Sequence, residues 1–285
     1  NRLWGTDPNN PYYTWYSGTL TELGNFNPAF GGGWVELEAG GRNRVTKVID
    51  FQGSPHVICE SPDGRGAIWS LSVESQTIGD STFTVVIPTK IIGSIGTDAP
   101  RTVLLVENDI FFLNQKRGTV FGNEPGILNV KRVNEFSRKI RPYIQSLNVD
   151  SFSDNCGYYY DAKVFFSVAT GSADPDRTIV FDREKLAWAK PWTIGFTQFG
   201  EFNDSGTLRF LGSIGKKLYE ISSVFEGDDG AAFQQKYVSP RIPISSNWTE
   251  FGKIGMVAVK LRSVKGTVQF EILGTGKKKS FTSLK

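Results

Sequence analysis

Val45-Thr46-Lys47-Val48-Ile49-Asp50-Phe51 runs into Gln52-Gly53-Ser54-Pro55 and resumes as His56-Val57-Ile58-Cys59-Glu60. It breaks at Ser61-Pro62-Asp63-Gly64-Arg65-Gly66 and closes on Ala67-Ile68-Trp69-Ser70-Leu71. Short β-branched and aromatic runs cut by Gly, Pro, Asp and Asn are strands joined by tight turns, because Gly supplies positive φ and Pro presets the bend. The phrase recurs. Thr102–Val106, Ile110–Leu113 and Gly118–Phe121 are separated by turns at Glu107-Asn108-Asp109 and Asn114–Arg117. It returns as Gly157–Tyr160, Lys163–Val168 and Thr178–Asp182, and again as Thr197–Phe202, Thr207–Gly212 and Lys217–Ile221. The opening segment, Arg2-Leu3-Trp4-Gly5 and then Tyr12–Ser17, reads as a partial or divergent copy.

The expected fold class is therefore all-β. The period is on the order of 40–55 residues, the range of propeller blades. A meander of that length cannot cover both of its faces alone, and stacking against neighbours covers them. Short strands at regular spacing also fit an immunoglobulin-like sandwich array. Each unit is too short for a seven-stranded sandwich, however, and its hairpin meander points to a β-propeller of about four to five blades over residues 1–232. Past Gly227-Asp228-Asp229-Gly230 the character changes. Residues 233–285, with strands at Gly255–Lys260 and Gly266–Leu273, read as the start of a C-terminal β-sandwich. The chain opens at Asn1 and its one Met is Met256, so it is expected to be processed or a fragment, with the propeller incomplete at its N-terminus and the sandwich truncated. One helix is expected, capped by Asn134 over Glu135–Arg141 and ended or kinked by Pro142, with Val133, Phe136 and Ile140 on one face.

Charge and composition exclude little by themselves. The net charge of +3 comes from scattered basic residues and does not build the single basic face that nucleic-acid binding needs. No apolar run approaches the roughly 20 residues of a membrane-spanning helix, so no membrane insertion is expected. Cys59 and Cys156 are far apart and in no metal-like spacing, which predicts two buried free thiols.

The search for chemistry is mostly negative. His56 is the one histidine, no Gly-x-Ser-x-Gly elbow exists to partner it, and a partly buried strand position is expected for it. No Gly-x-x-x-x-Gly-Lys-Ser/Thr phosphate loop occurs. Asp174-Pro175-Asp176 and Asp228-Asp229 offer oxygens to calcium, but such loops are usually solvated turns. Ser61-Pro62-Asp63-Gly64-Arg65-Gly66-Ala67-Ile68-Trp69 is a near miss to the Asp-box of sialidase propellers. Paired carboxylates are common enough that a glycosidase remains open. Trp188 and Trp192 around Pro191, and Trp4, Trp15 and Tyr16, suggest sugar stacking, although most aromatics fall inside strands where cross-strand packing accounts for them. No catalytic residue, metal or cofactor is assigned.

Three stretches carry a resemblance. They are Asn1–Gly5 with Pro8, Pro11, Trp15–Gly18 and Gly24-Asn25-Phe26; then Gly93–Gly96, Ala99-Pro100, Val103–Val106, Asn108–Leu113 and Gly118–Phe121; then Phe136–Ile144. Together they are similar to the propeller of bacteriophage tail hub, nozzle and stabilisation proteins, and the strands from Phe251 onward resemble the β-sandwich that follows it. The resemblance implies a non-enzymatic virion component in a homo-oligomeric ring around the tail channel. Its partners would be other phage tail proteins, and it would lie close to the DNA ejected through the channel. A glycan-binding or glycan-cleaving propeller and a cellular protein-binding scaffold are the alternatives. In a ring of identical subunits a basic patch meets an acidic one. The candidate subunit contacts are Arg138, Lys139 and Arg141 on one side and Asp228 and Asp229 on the other.

Overall fold

The computed structural model is all-β, mostly strands with little helix. It describes residues 2–7, 9–37, 43–60, 66–79, 81–115, 117–123, 131–222, 227–228, 231–232, 268–274 and 277–283. The chain divides into two compact units, Asn1–Phe225 and Glu226–Lys285.

Among the described residues, the first unit contains five antiparallel sheets, taken up in chain order. The first is β1 (Trp4–Asp7), β2 (Asn10–Tyr16) and β3 (Gly33–Glu36). The second is β4 (Val45–Phe51), β5 (Ser54–Cys59), β6 (Ile68–Ile78) and β7 (Ser81–Ile92). The third is β8 (Leu104–Val106), β9 (Asp109–Leu113), β10 (Gly118–Asn123) and β11 (Lys131–Glu135). The fourth is β12 (Cys156–Tyr160), β13 (Lys163–Val168), β14 (Arg177–Asp182) and β15 (Ala187–Trp188). The fifth is β16 (Gln198–Asp204), β17 (Thr207–Ile214) and β18 (Lys217–Glu220). Every sheet is a simple meander, so each sequence phrase is one sheet. Three of the hairpins, closed by the pairs Phe51↔Ser54, Tyr160↔Lys163 and Asp204↔Thr207, have two-residue turns with both residues at positive φ, the twist that matches the flanking strands.

The alternation within strands shows how the sheets pack. In β9, Ile110 and Phe112 belong to one core with Phe51, Ile58 and Phe121, while Phe111 and Leu113 belong to another with Val164, Phe166 and Phe181. In β5, Ile58 faces the third sheet, and Val57 and Cys59 face a core with Trp4 and Val35 of the first. In β13, Phe166 faces the third sheet, and Phe165 joins Phe199 and Phe210 of the fifth. The five sheets thus stack in series through four separate cores, and the three middle sheets bury both faces. A sandwich has one core between two sheets, so the sandwich alternative does not fit this unit. Wholly buried side chains such as Phe112, Phe121, Phe166 and Phe210 each contribute about 1.5–3 kcal/mol of burial.

Polar groups tie the sheets at their leading ends. Thr97 Oγ1 donates to the Leu113 carbonyl (2.5 Å) and accepts from Ala99 N–H (2.9 Å). Asn155 Oδ1 accepts from Ala169 N–H (2.9 Å), and Ser167 Oγ accepts from Phe196 N–H (2.6 Å). Gly96 passes so close to the second sheet that a Cβ there would sit 2.0 Å from the Cys59 carbonyl oxygen.

The expected helix is corrected. Asn134 and Glu135 lie in β11, paired with Val120 and Thr119. A 3-10 turn, Arg138–Ile140, leads into the one α-helix among the described residues, α1 (Arg141–Gln145). Pro142 sits in the first turn of α1 and opens the helix rather than ending it. Its missing N–H would be unpaired there in any case and its φ suits the helix. The structure also adds strands where none was expected. The largest is β7, which with β6 forms a hairpin of 11 and 12 residues.

In the second unit β19 (Gly227–Asp228) pairs with β20 (Ala231–Ala232), and β21 (Val268–Gly274) pairs with β22 (Lys277–Ser283). The expected strand at Gly255–Lys260 lies outside the described residues, as does Asp229. Among the described residues no helix is long and apolar enough to cross a membrane.

Candidate functional site

The segment from Glu135 to Gln145 packs on the core between the third and fourth sheets through Phe136, Ile140 and Ile144. Phe136 is the pivot. Its ring lies 4.9 Å from Phe111 and 5.2 Å from Phe181, and it stacks on Trp188 at 5.3 Å with an interplanar angle of 17°. Trp188 Nε1 donates to the Phe136 carbonyl (3.2 Å), which fixes the indole. Ser137, fully buried, accepts from Gly118 N–H (2.7 Å) and anchors the turn that follows.

The candidate contact residues then part company. Arg141 is folded back on Glu135, donating from Nε at 2.8 Å and also from Nη2. Glu135 is largely covered, and the Arg141 hydrogen bond holds its carboxyl below the usual range. Arg138 and Lys139 are exposed, with no ion pair among the described residues. Asp228 lies in β19 of the second unit. A cleft of about 320 Å³ opens beside Lys139, walled by Ile140, Pro142, Tyr143, Ile179, Trp188 and Pro191. The Tyr143 hydroxyl is shielded from solvent and has no hydrogen-bond partner among the described residues. Lys190 is exposed next to Pro191. Sequence reasoning missed this cleft because three distant segments build its walls. The one legible signal was Trp188 and Trp192 around Pro191.

A second cleft, of about 520 Å³, lies where Phe83 and Thr84 of β7 approach the first sheet beside Tyr16, Gly32 and Trp34. Trp34 is 50% and Phe83 52% exposed. Arg2 holds this region together. It donates to the carbonyls of Ser17 and Gly31, and to Thr84 Oγ1 at 3.0 Å.

The structure places the other sequence candidates within packing and turn contacts. His56 is 3% exposed in β5, with Nδ1 3.0 Å from the Ser54 carbonyl and its ring edge-on to Phe51 at 5.2 Å. Burial pushes its pKa down. Neither cysteine is in a disulfide and both are buried, and burial pushes the Cys156 thiol up to about 11. Asp176 accepts from Thr170 N–H and Oγ1 (2.7 Å each) and so closes a loop. Trp192 packs edge-on to Phe165 at 5.7 Å. The first part of the Asp-box near miss, Ser61–Arg65, lies outside the described residues, and Ile68 and Trp69 open β6. No family model matches the chain, and no curated protein matches it.

Proposed function

We propose that the chain is a non-enzymatic structural subunit of a bacteriophage tail, a five-bladed β-propeller followed by a β-sandwich unit, working in a ring of identical copies around the tail channel. The observation that carries the reading is the serial stack, in which each middle sheet spends both faces on its neighbours. That is how blades bury themselves, and it leaves the rim for contacts between subunits. The exposed Arg138 and Lys139 support a rim contact. The viral assignment rests on the sequence resemblance. The test is mass spectrometry and cryo-electron microscopy of purified particles from a phage encoding the chain. Stoichiometric copies forming a ring on the tail are expected, and absence from the particle overturns the reading.

The cleft at Trp34 and Phe83 favours a second reading, glycan binding, since exposed aromatic faces stack on sugars. Calorimetric titration of oligosaccharides against the chain and its Trp34→Ala variant separates the two. Saturable binding lost in the variant supports this reading.

A further inference from the structure

We infer that the cleft beside Trp188 receives the segment Val224–Asp229 of a second copy of this chain, an apolar anchor followed by carboxylates. The inference rests on the repeated-subunit reading and names the contact that reading leaves open. The cleft is at the small end of ligand pockets, about 300–1,000 Å³, which suits one anchoring side chain. Its walls, from Ile140, Pro142, Tyr143, Ile179, Trp188 and Pro191, are apolar or aromatic. The Trp188 indole is already fixed by its stack on Phe136 and its bond to the Phe136 carbonyl. An anchor entering beside it therefore orders little that is not already ordered.

Charge selects the occupant. Lys139 lines the cleft, and Arg138 and Lys190 are exposed next to lining residues in the sequence; none of the three has an ion pair among the described residues, while Arg141 is satisfied by Glu135. A cation on an apolar slot, with exposed cations adjacent to its lining in the sequence, calls for an acidic segment with an apolar lead. The sequence contains one window of four residues with three carboxylates, Glu226-Gly227-Asp228-Asp229, and Val224-Phe225 precede it directly. Phe225 then fills the slot, and the carboxylates meet the cations.

The test is a fluorescein-labelled peptide of residues 222–231 titrated by anisotropy into the full chain carrying Phe225→Ala, so that its own segment cannot compete. Saturable binding is expected, weakening as salt rises. It should fall at least tenfold with Lys139→Glu plus Lys190→Glu, two exposed positions that leave the fold intact, and at least tenfold when the peptide's Phe225 is replaced by Ala. The inference is overturned by no saturation at millimolar peptide, or by binding indifferent to both changes. A scrambled peptide that binds equally well overturns the commitment to this segment. The titration needs no particle, so its failure is distinct from absence of the chain from phage tails.

Discussion

Arg101, in the 3-10 turn before the third sheet, donates to the carbonyl of Thr197, 3.2 Å away and 96 residues further along the chain. The same guanidinium also donates to the carbonyl of Asp154. One side chain therefore ties the leading segments of the third, fourth and fifth sheets. Arg101 is exposed, so its bonds compete with water. Arg101→Ala should cost about 1 kcal/mol in urea unfolding, the ordinary net worth of such bonds. Arg101→Lys should recover little of it, because a single ammonium nitrogen cannot reach both carbonyls that Arg101 meets with Nη1 and Nη2.

Gly96→Ala should be far more damaging. The new methyl would meet the Cys59 carbonyl oxygen at 2.0 Å and the Gly66 Cα at 3.0 Å, both backbone atoms that cannot swing away. A loss of about 2–4 kcal/mol is expected, in the upper range of single substitutions. Gly200→Ala is the control, since nothing lies within 4 Å of its Cβ. It should stay within about 0.5 kcal/mol, as surface changes do. Equal losses in the two variants would show that the close approach is not the cause.

Ala162 holds φ +55° in the turn between β12 and β13, where the equivalent turns have Gly53 and Gly206. The left-handed region costs a residue with a Cβ about 1–2 kcal/mol, and glycine's extra unfolded-state freedom returns part of that. Ala162→Gly should raise stability by about 0.5–1 kcal/mol. An unchanged denaturation midpoint would contradict this.

His56 and Glu135 are two of the groups that shape the acid side of the stability curve. His56 has its folded-state pKa lowered, chiefly by burial, from 6.5. The unfolded chain then binds a proton that the folded one resists. The contribution is complete above pH 6.5 and is lost as pH falls toward and through the folded-state value. Glu135 is also lowered, from 4.5, chiefly by the Arg141 hydrogen bond. Its contribution is complete above pH 4.5 and is lost as pH falls through the depressed value. Melting temperatures measured from pH 8 to pH 3 should fall in both windows. His56→Phe should flatten the upper one and Glu135→Gln the lower.

Arg138 and Arg141 should behave differently when reversed. Arg138→Glu should leave the melting temperature unchanged, since an exposed unpaired charge contributes little. Arg141→Glu faces Glu135 with a like charge and should lower the melting temperature. Similar melting curves for the two would remove Glu135 as the reason for their difference.

The strands were readable because runs such as Val45–Phe51 and Lys163–Val168 are bounded by turns whose chemistry is local. The all-β class followed from that. The segment around Asn134 was not readable in the same way. Asn before Glu is a helix cap in isolation, but pairing with Val120 and Thr119 outweighs a local preference that a single side chain sets. β7 escaped notice because its residues alternate only weakly and Pro88 sits inside it. At the candidate site, Arg138 and Lys139 were legible as exposed cations. The pairing of Arg141 with Glu135 was not, because it depends on β11 being a strand. Nothing in the spacing joins Tyr143, Ile179 and Trp188, which meet only after two sheets have stacked.

The separate cores have a consequence for synthesis. Each sheet from the second on finds its first partner in the one made just before it, so none of these four cores waits for a distant segment of the chain. The second sheet can settle on the first as soon as Leu71 is clear, then the third on the second, through to the fifth. Pauses placed between these steps would be tolerated, because what has already emerged at each stage has one covered face and a single open one.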